Sequence, residues 1–172
     1  MQKSSVNIDL MKEFDLLTGL PDEAIQLVLD KLKIIDITKN TIIIQEGDFG
    51  DSMVFLLDGR VSISQAMTLP TDKSDEDTRE KEVFNTTAEI RPVFGEIGLF
   101  GRSDKRTANI KAVTNCTIGK LYRDDFFSIC EQNTQVGYKL LKNIAHILSG
   151  RHMDSNKNIM KLTTALSLIL EK

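Results

Sequence analysis

Between residue 33 and residue 122 the apolar positions come in short runs rich in β-branched residues, and this restricts the available folds more than any other feature. KIIDI, TIIIQ, MVFLL, VSIS, FNTTAEI, TANIKAV and CTIGKLY are too short for buried helices and have strand composition. Turn-forming residues separate them: Lys39-Asn40, Glu46-Gly47-Asp48 through Gly50-Asp51, and Asp58-Gly59. Asp58-Gly59 lies between two strand-like runs and predicts a hairpin. On both sides the period is helical. Ile8, Leu10, Met11, Phe14, Leu16 and Leu17 are spaced for a helix that Gly19 ends. Pro21 suits the first position of a second helix, with Asp22 and Glu23 complementing its dipole. After Arg123-Asp124-Asp125 the helical period returns, first in FFSICEQ and then from about residue 134 to the end. The prediction is an α+β fold: a jelly-roll-like antiparallel β-roll of about eight strands, with N-terminal helices and a long C-terminal helix. The expected divisions are helices over 1–32, the roll over 33–122 and helices over 123–172.

One stretch breaks the strand pattern. Within 66–83, PTDKSDEDTREKE carries six acids against three bases, and it is expected to be a solvated loop inside a hairpin. The whole chain has a net charge of −3, which argues against a nucleic-acid surface. The first residues lack a signal-peptide core and no apolar run is long enough to span a membrane, so the expected location is cytoplasmic. Cys116 and Cys130 lack metal-ligand spacing and are expected to be reduced, buried and inert.

The chemistry concentrates in FGEIGLFGRSDKRTANI, from Phe94 to Ile110. Gly95 and Gly98 bracket Glu96 and Ile97, so the backbone there can approach a ligand closely. A short helix beginning near Glu96 would offer free N–H groups to an anion. Arg106 presents a planar fork suited to phosphate, and Thr107 adds a hydroxyl beside it. A phosphate on Arg106 and a sugar hydroxyl on Glu96 together describe a nucleotide. A buried Glu96–Arg106 ion pair without any ligand satisfies the same spacing, although desolvation leaves such pairs little net stability.

This stretch resembles the phosphate-binding cassette of the cyclic nucleotide-binding domain family, which includes catabolite activator proteins, regulatory subunits of cyclic-AMP-dependent kinase and cytoplasmic domains of gated channels. The matching residues are Phe94, Gly95, Glu96, Gly98, Leu99, Arg106, Thr107 and Ala108, with Gly47, Phe55 and Gly59 upstream. The resemblance covers roughly residues 14–155. It implies that Glu96 accepts the ribose 2′-hydroxyl and Arg106 pairs with the cyclic phosphate. It implies that Gly95, Ile97 and Gly98 shape the helix, that Thr107 touches phosphate or purine, and that Ile63 packs on the base. Phe94 and Ala108 complete the implied ligand-binding set. Arg91-Pro92 departs from the family, where Gly-Asp is common, so the turn there is expected to differ. A hydroxyl at the place of Thr107 is found in cyclic-GMP-preferring members of the family, where it can reach the guanine amino group, and also in cyclic-AMP binders; the expected ligand is cyclic AMP rather than cyclic GMP.

In the last helix, Tyr138, Leu141, Ala145, Leu148, His152, Ser155, Ile159, Leu162, Leu166 and Ile169 step by three and four, as in a heptad seam. The seam suits either a core-packing helix with an exposed middle or a parallel homodimer. In the dimer reading, its polar gap lies over the base, with Arg151, His152 and Ser155 as candidate lid contacts. Gly150 lowers helix propensity by about 1 kcal/mol relative to alanine and marks a place for a bend. His146 and His152 are the only histidines, so a metal-dependent barrel enzyme lacks ligands on its strands. The expectation is therefore a free-standing, non-enzymatic, metal-free cyclic nucleotide receptor that signals to an unidentified protein effector through its last helix. The alternatives are the sensor half of a truncated transcription regulator and a ligand-free dimerisation scaffold. No basic recognition helix follows the long helix, so DNA is not an expected partner, and the lack of a membrane-length apolar run removes the membrane as one.

Overall fold

The computed structural model describes residues 6–66, 80–100 and 105–170. Two four-stranded antiparallel sheets face each other. Lys33–Ile37 (β1), Ser52–Asp58 (β3), Val93–Phe94 (β6) and Cys116–Tyr122 (β8) form one, in the order β1-β8-β3-β6. Ile42–Ile44 (β2), Arg60–Ala66 (β4), Glu80–Thr87 (β5) and Asn109–Ala112 (β7) form the other, in the order β2-β7-β4-β5. This is the expected α+β roll, with its helices before and after the strands.

Strand β3 shows how one run serves two cores. All its residues from Ser52 to Leu57 are buried, because successive side chains point to opposite faces. Met53, Phe55 and Leu57 join the helix-covered core with Phe14, Ile25, Phe126 and Leu140. Val54 and Leu56 join the core between the sheets with Val61, Ile63, Phe94, Ile110 and Ile118. The rings of Phe14 and Phe55 meet edge to face at 5.1 Å, fastening the N-terminal segment to the roll.

The Asp58-Gly59 turn is a correction to the predicted hairpin. It joins β3 to β4, but these strands lie in different sheets and do not pair. Gly59 has φ +95°, and a Cβ there would sit 2.6 Å from the Asn115 carbonyl oxygen. The turn is thus a tight corner between sheets, where the close approach of the 115–116 backbone requires glycine. The acidic stretch is strand at both ends, since β4 reaches Ala66 and β5 starts at Glu80; residues 67–79 lie outside the described residues.

The N-terminal helical segment is split. Ile8–Lys12 (α1) is capped by the Asn7 side chain, which accepts the Leu10 N–H at 2.9 Å, and a 3₁₀ turn follows over Asp15–Leu17. Pro21 stands just before Asp22–Lys31 (α2) rather than inside its first turn. FNTTAEI is strand only to Thr87, and Ala88–Ile90 make a 3₁₀ turn. That turn ends at Arg91, which adopts φ +47°, a left-handed conformation that costs a non-glycine residue energy. The Arg91 side chain donates to Glu13 at 2.7 Å and to the Leu57 carbonyl at 3.1 Å, tying the N-terminal segment to the end of β3.

Arg123–Gln132 (α4) and Thr134–Leu170 (α5) close the chain, and α5 is unbroken through Gly150. The first half of α5 buries Val136, Gly137, Leu140 and Ile144; every residue from 151 to 170 is exposed. The face that packs on the core is not the predicted seam. Tyr138, Leu141 and Ala145 are exposed and only Leu148 of the upper seam is half-buried, so the core-packing reading of the seam fails. Both cysteines are free thiols, but Cys130 is half-buried rather than buried, and burial with help from Glu131 pushes its thiol above the ordinary range. Among the described residues, no helix is long and apolar enough to cross a membrane, and no cluster of three His, Cys, Asp or Glu side chains could hold a metal ion.

Candidate functional site

A cavity of about 760 Å³ opens between the second sheet, the segment from Ile90 to Gly98, the loop carrying Arg106, and α5. Its size falls in the range of small-molecule sites. Ile63, Phe94, Gly95, Glu96, Ile97, Gly98, Arg106, Thr107 and Ala108 all line it, brought together from β4, β6, the short helix Glu96–Phe100 (α3), and the loop before β7. From α5 come Arg151 and Ser155, and with them Asp154 and Asn158. These four sit at i, i+3, i+4 and i+7, one polar stripe on a helix. His152 is not part of the lining; its ring nitrogen lies 3.1 Å from the Asn156 amide nitrogen on the exposed side.

Arg106 is 9% exposed and held through both its backbone and its Nη groups. Its backbone N–H donates to the Asp48 carbonyl at 2.8 Å, and its carbonyl accepts the Gly47 N–H at 2.9 Å. Its Nη1 donates to the Ser52 carbonyl at 2.8 Å and to the Gly95 carbonyl at 3.4 Å, and Nη2 donates to Ser52 Oγ at 3.1 Å. Burial pushes the guanidinium below its ordinary pKa, and Asp51 is the first of the neighbouring acids opposing that shift, followed by Glu96. The glycines around it make room for the arginine itself. A Cβ on Gly95 would collide with Nη1, and one on Gly50 would come within 2.9 Å of Nε.

Glu96 is 4% exposed, and its partner is not the one its spacing allowed. It does not pair with Arg106. Its Oε1 meets Nη1 of Arg151, whose Nη2 donates to the Val93 carbonyl at 2.7 Å. Oε2 is buried without a hydrogen-bond partner among the described residues. A buried carboxylate oxygen without a donor is costly, and this one belongs to a residue that lines the cavity.

Several participants escaped the sequence reading. Ser52 sits at the start of an apolar strand and carries no motif. Asp154 and Asn158 follow from Arg151 by helical spacing once that residue is known to face the cavity. Gln65 donates to the Thr107 carbonyl at 2.8 Å, a contact across 42 residues that no local pattern signals.

Residues 34–133 match the family model described as cyclic nucleotide-binding domain. The chain is 30% identical over 114 residues to the cGMP-dependent protein kinase, isozyme 1, of Drosophila melanogaster, covering 66% of this chain and 14% of the kinase. Its fold is similar to that of the catabolite activator protein of Thermus thermophilus, with a TM-score of 0.72 and 19% identity over 87% of this chain and 63% of the other. It is also similar to a cyclic nucleotide-binding domain from Methylobacillus flagellatus, with a TM-score of 0.72 and 18% identity over 89% and 80% of the two chains.

Proposed function

Since the chain belongs to the cyclic nucleotide-binding domain family, we propose that it is a receptor module for a purine 3′,5′-cyclic nucleotide. One observation carries the reading: a buried arginine and a buried carboxylate with an unpartnered oxygen line the same cavity. Arg106, with the first N–H groups of α3, takes the cyclic phosphate. Glu96 Oε2 accepts the ribose 2′-hydroxyl. Ile63 and its apolar neighbours pack on the base under the polar stripe of α5. In that stripe Arg151 and Ser155 keep their expected places as lid contacts, and Asp154 and Asn158 stand in for His152.

Cyclic AMP is the preferred ligand. The Asn158 amide can donate to adenine N1 and accept from its amino group. A second reading, cyclic GMP, is supported by Asp154, whose carboxylate can accept both N–H donors of the guanine edge, and by the similarity to a kinase named for cyclic GMP. Titration calorimetry with each nucleotide separates the two. Saturable one-to-one heat with cyclic AMP as the tighter ligand is expected; no heat with either at about 1 mM, where even weak sites fill, sinks the receptor reading.

Binding reaches the last helix through Arg151, because the carboxylate that takes the ribose also holds α5. A ligand that favours one α5 position shifts the population toward it. The rings of Phe100, Phe126 and Phe127 meet edge to face at 5.4–5.8 Å and give α3 a second link, to α4.

The occupant of the exposed α5 seam is a second copy of the chain. Ile159, Leu162, Leu166 and Ile169 are each more than half exposed along one heptad stripe, which is what a parallel pair buries. Sedimentation at tens of micromolar should show a dimer that Leu162→Glu converts to a monomer with unchanged nucleotide affinity. A monomeric parent protein would overturn this assignment without touching the cavity.

A further inference from the structure

Arginine has five N–H donors arranged along distinct edges of a rigid plane. One edge, the end-on fork, presents one N–H from each Nη. Another, the side fork, presents Nε–H together with the outer N–H of Nη2. Only one fork at a time can meet two oxygens of the same phosphate, so whatever occupies the other decides how the ligand is held. In this protein the end-on fork is filled from within. Ser52 meets it twice, its carbonyl accepting from Nη1 at 2.8 Å and its hydroxyl accepting from Nη2 at 3.1 Å. The remaining Nη1 donor goes to the Gly95 carbonyl at 3.4 Å. Among the described residues three of the five donors are thereby used, and the two left over lie together on the side fork.

Ser52 is built for this contact. It is 0% exposed and opens β3, whose register with Tyr122 of β8 fixes its backbone. Its hydroxyl proton goes to Asp51 Oδ1 at 3.0 Å, which leaves the oxygen lone pairs facing the guanidinium. An alanine in the same place keeps the carbonyl but leaves one charged N–H of Nη2 in a dry setting without its acceptor.

We propose that Ser52 is the positioning residue of the phosphate site: by occupying the end-on fork of Arg106 with both its carbonyl and its hydroxyl, it commits the side fork to the ligand. The inference rests on the cyclic nucleotide reading of the cavity and adds to it how the phosphate is oriented. Ser52 touches no ligand atom. It acts through Arg106 alone, and the consequence is stereochemical as well as energetic. A guanidinium locked in one orientation treats the two exocyclic phosphate oxygens unequally; one free to rotate treats them alike.

The test uses the full chain with the favoured cyclic nucleotide and the two phosphorothioate diastereomers, each carrying sulfur in place of one exocyclic oxygen. The parent protein should prefer one diastereomer by roughly tenfold, the scale of one charge-assisted hydrogen bond. Ser52→Ala should bind the parent nucleotide about tenfold more weakly, with the diastereomer preference falling to about threefold or less. Ser52→Thr, which keeps the hydroxyl, should restore both quantities, and thermal melts should show the alanine variant folded. A generally loosened fold would weaken all three ligands together and leave their ratio unchanged, which would overturn the proposal. So would an alanine variant with unaltered affinity and preference. Failure of the parent protein to bind any cyclic nucleotide would instead overturn the receptor reading beneath it.

Discussion

Arg106→Ala is expected to weaken cyclic nucleotide binding by about a hundredfold or more, because a buried, bidentate, charge-assisted contact disappears and the phosphate loses its counter-charge. Arg106→Lys should recover little of this. An ammonium is a point charge, and it cannot reach the Ser52 carbonyl, the Ser52 hydroxyl and a phosphate in one plane. The same alanine substitution should lower stability by about 1–3 kcal/mol, since it strips a buried serine hydroxyl and a buried carbonyl of their donor. Calorimetry for binding and urea denaturation for stability, performed on the same preparation, separate the two effects. An Arg106→Ala protein that binds as tightly as its parent would remove the phosphate assignment altogether.

Gly95→Ala should have the largest effect on folding. Gly95 has φ +83°, in the left-handed region where an alanine costs about 1–2 kcal/mol. Its added methyl group would also overlap the Arg106 guanidinium and lie 2.8 Å from the Ser52 carbonyl oxygen, which belongs to a strand and cannot retreat. The arginine could yield only by abandoning its bonds to Ser52. The sum is expected to reach about 3–4 kcal/mol, with nucleotide binding lost in the fraction that remains folded. Gly98→Ala is the internal control. A methyl there stays 3.4 Å from the Gly50 carbonyl oxygen, an ordinary contact, and Gly98 is helical, so its cost should stay within about 1 kcal/mol. Equal stability of the two variants would contradict the cradle around Arg106.

These expectations depend on features that the sequence exposes unevenly. The strands are legible because β-branched runs and turn residues act locally, and the described residues hold eight strands in two sheets. The pairing of those strands is not legible. Asp58-Gly59 has the composition of a hairpin turn, yet whether its flanking strands share a sheet is decided by the 115–116 backbone packed against Gly59. Strand β6, two residues long, is too short for any period. In the site, Glu96 and Arg106 stand out because charge within an apolar stretch needs a reason. Their actual partners are invisible in one dimension. Arg151 lies 55 residues beyond Glu96, and Ser52 lies 54 residues before Arg106. The seam of α5 was legible as a pattern, but which stripe faces the core depended on where Val136, Leu140 and Ile144 meet the roll.

The second half of α5 has a mechanical consequence. From Arg151 to Leu170 the helix continues with every residue exposed, a rigid rod of roughly 28 Å at 1.5 Å per residue. Its near end continues the half of α5 that packs on the core, and Arg151 ties that point to the carboxylate in the cavity and to the Val93 carbonyl. The helix is therefore a lever arm with its fulcrum beside the pocket. A tilt of about 5° at Arg151 displaces the tip by about 2.5 Å, by the same rise per residue. Displacements that are sub-ångström at the pocket emerge at Leu170 on the scale of a side-chain contact.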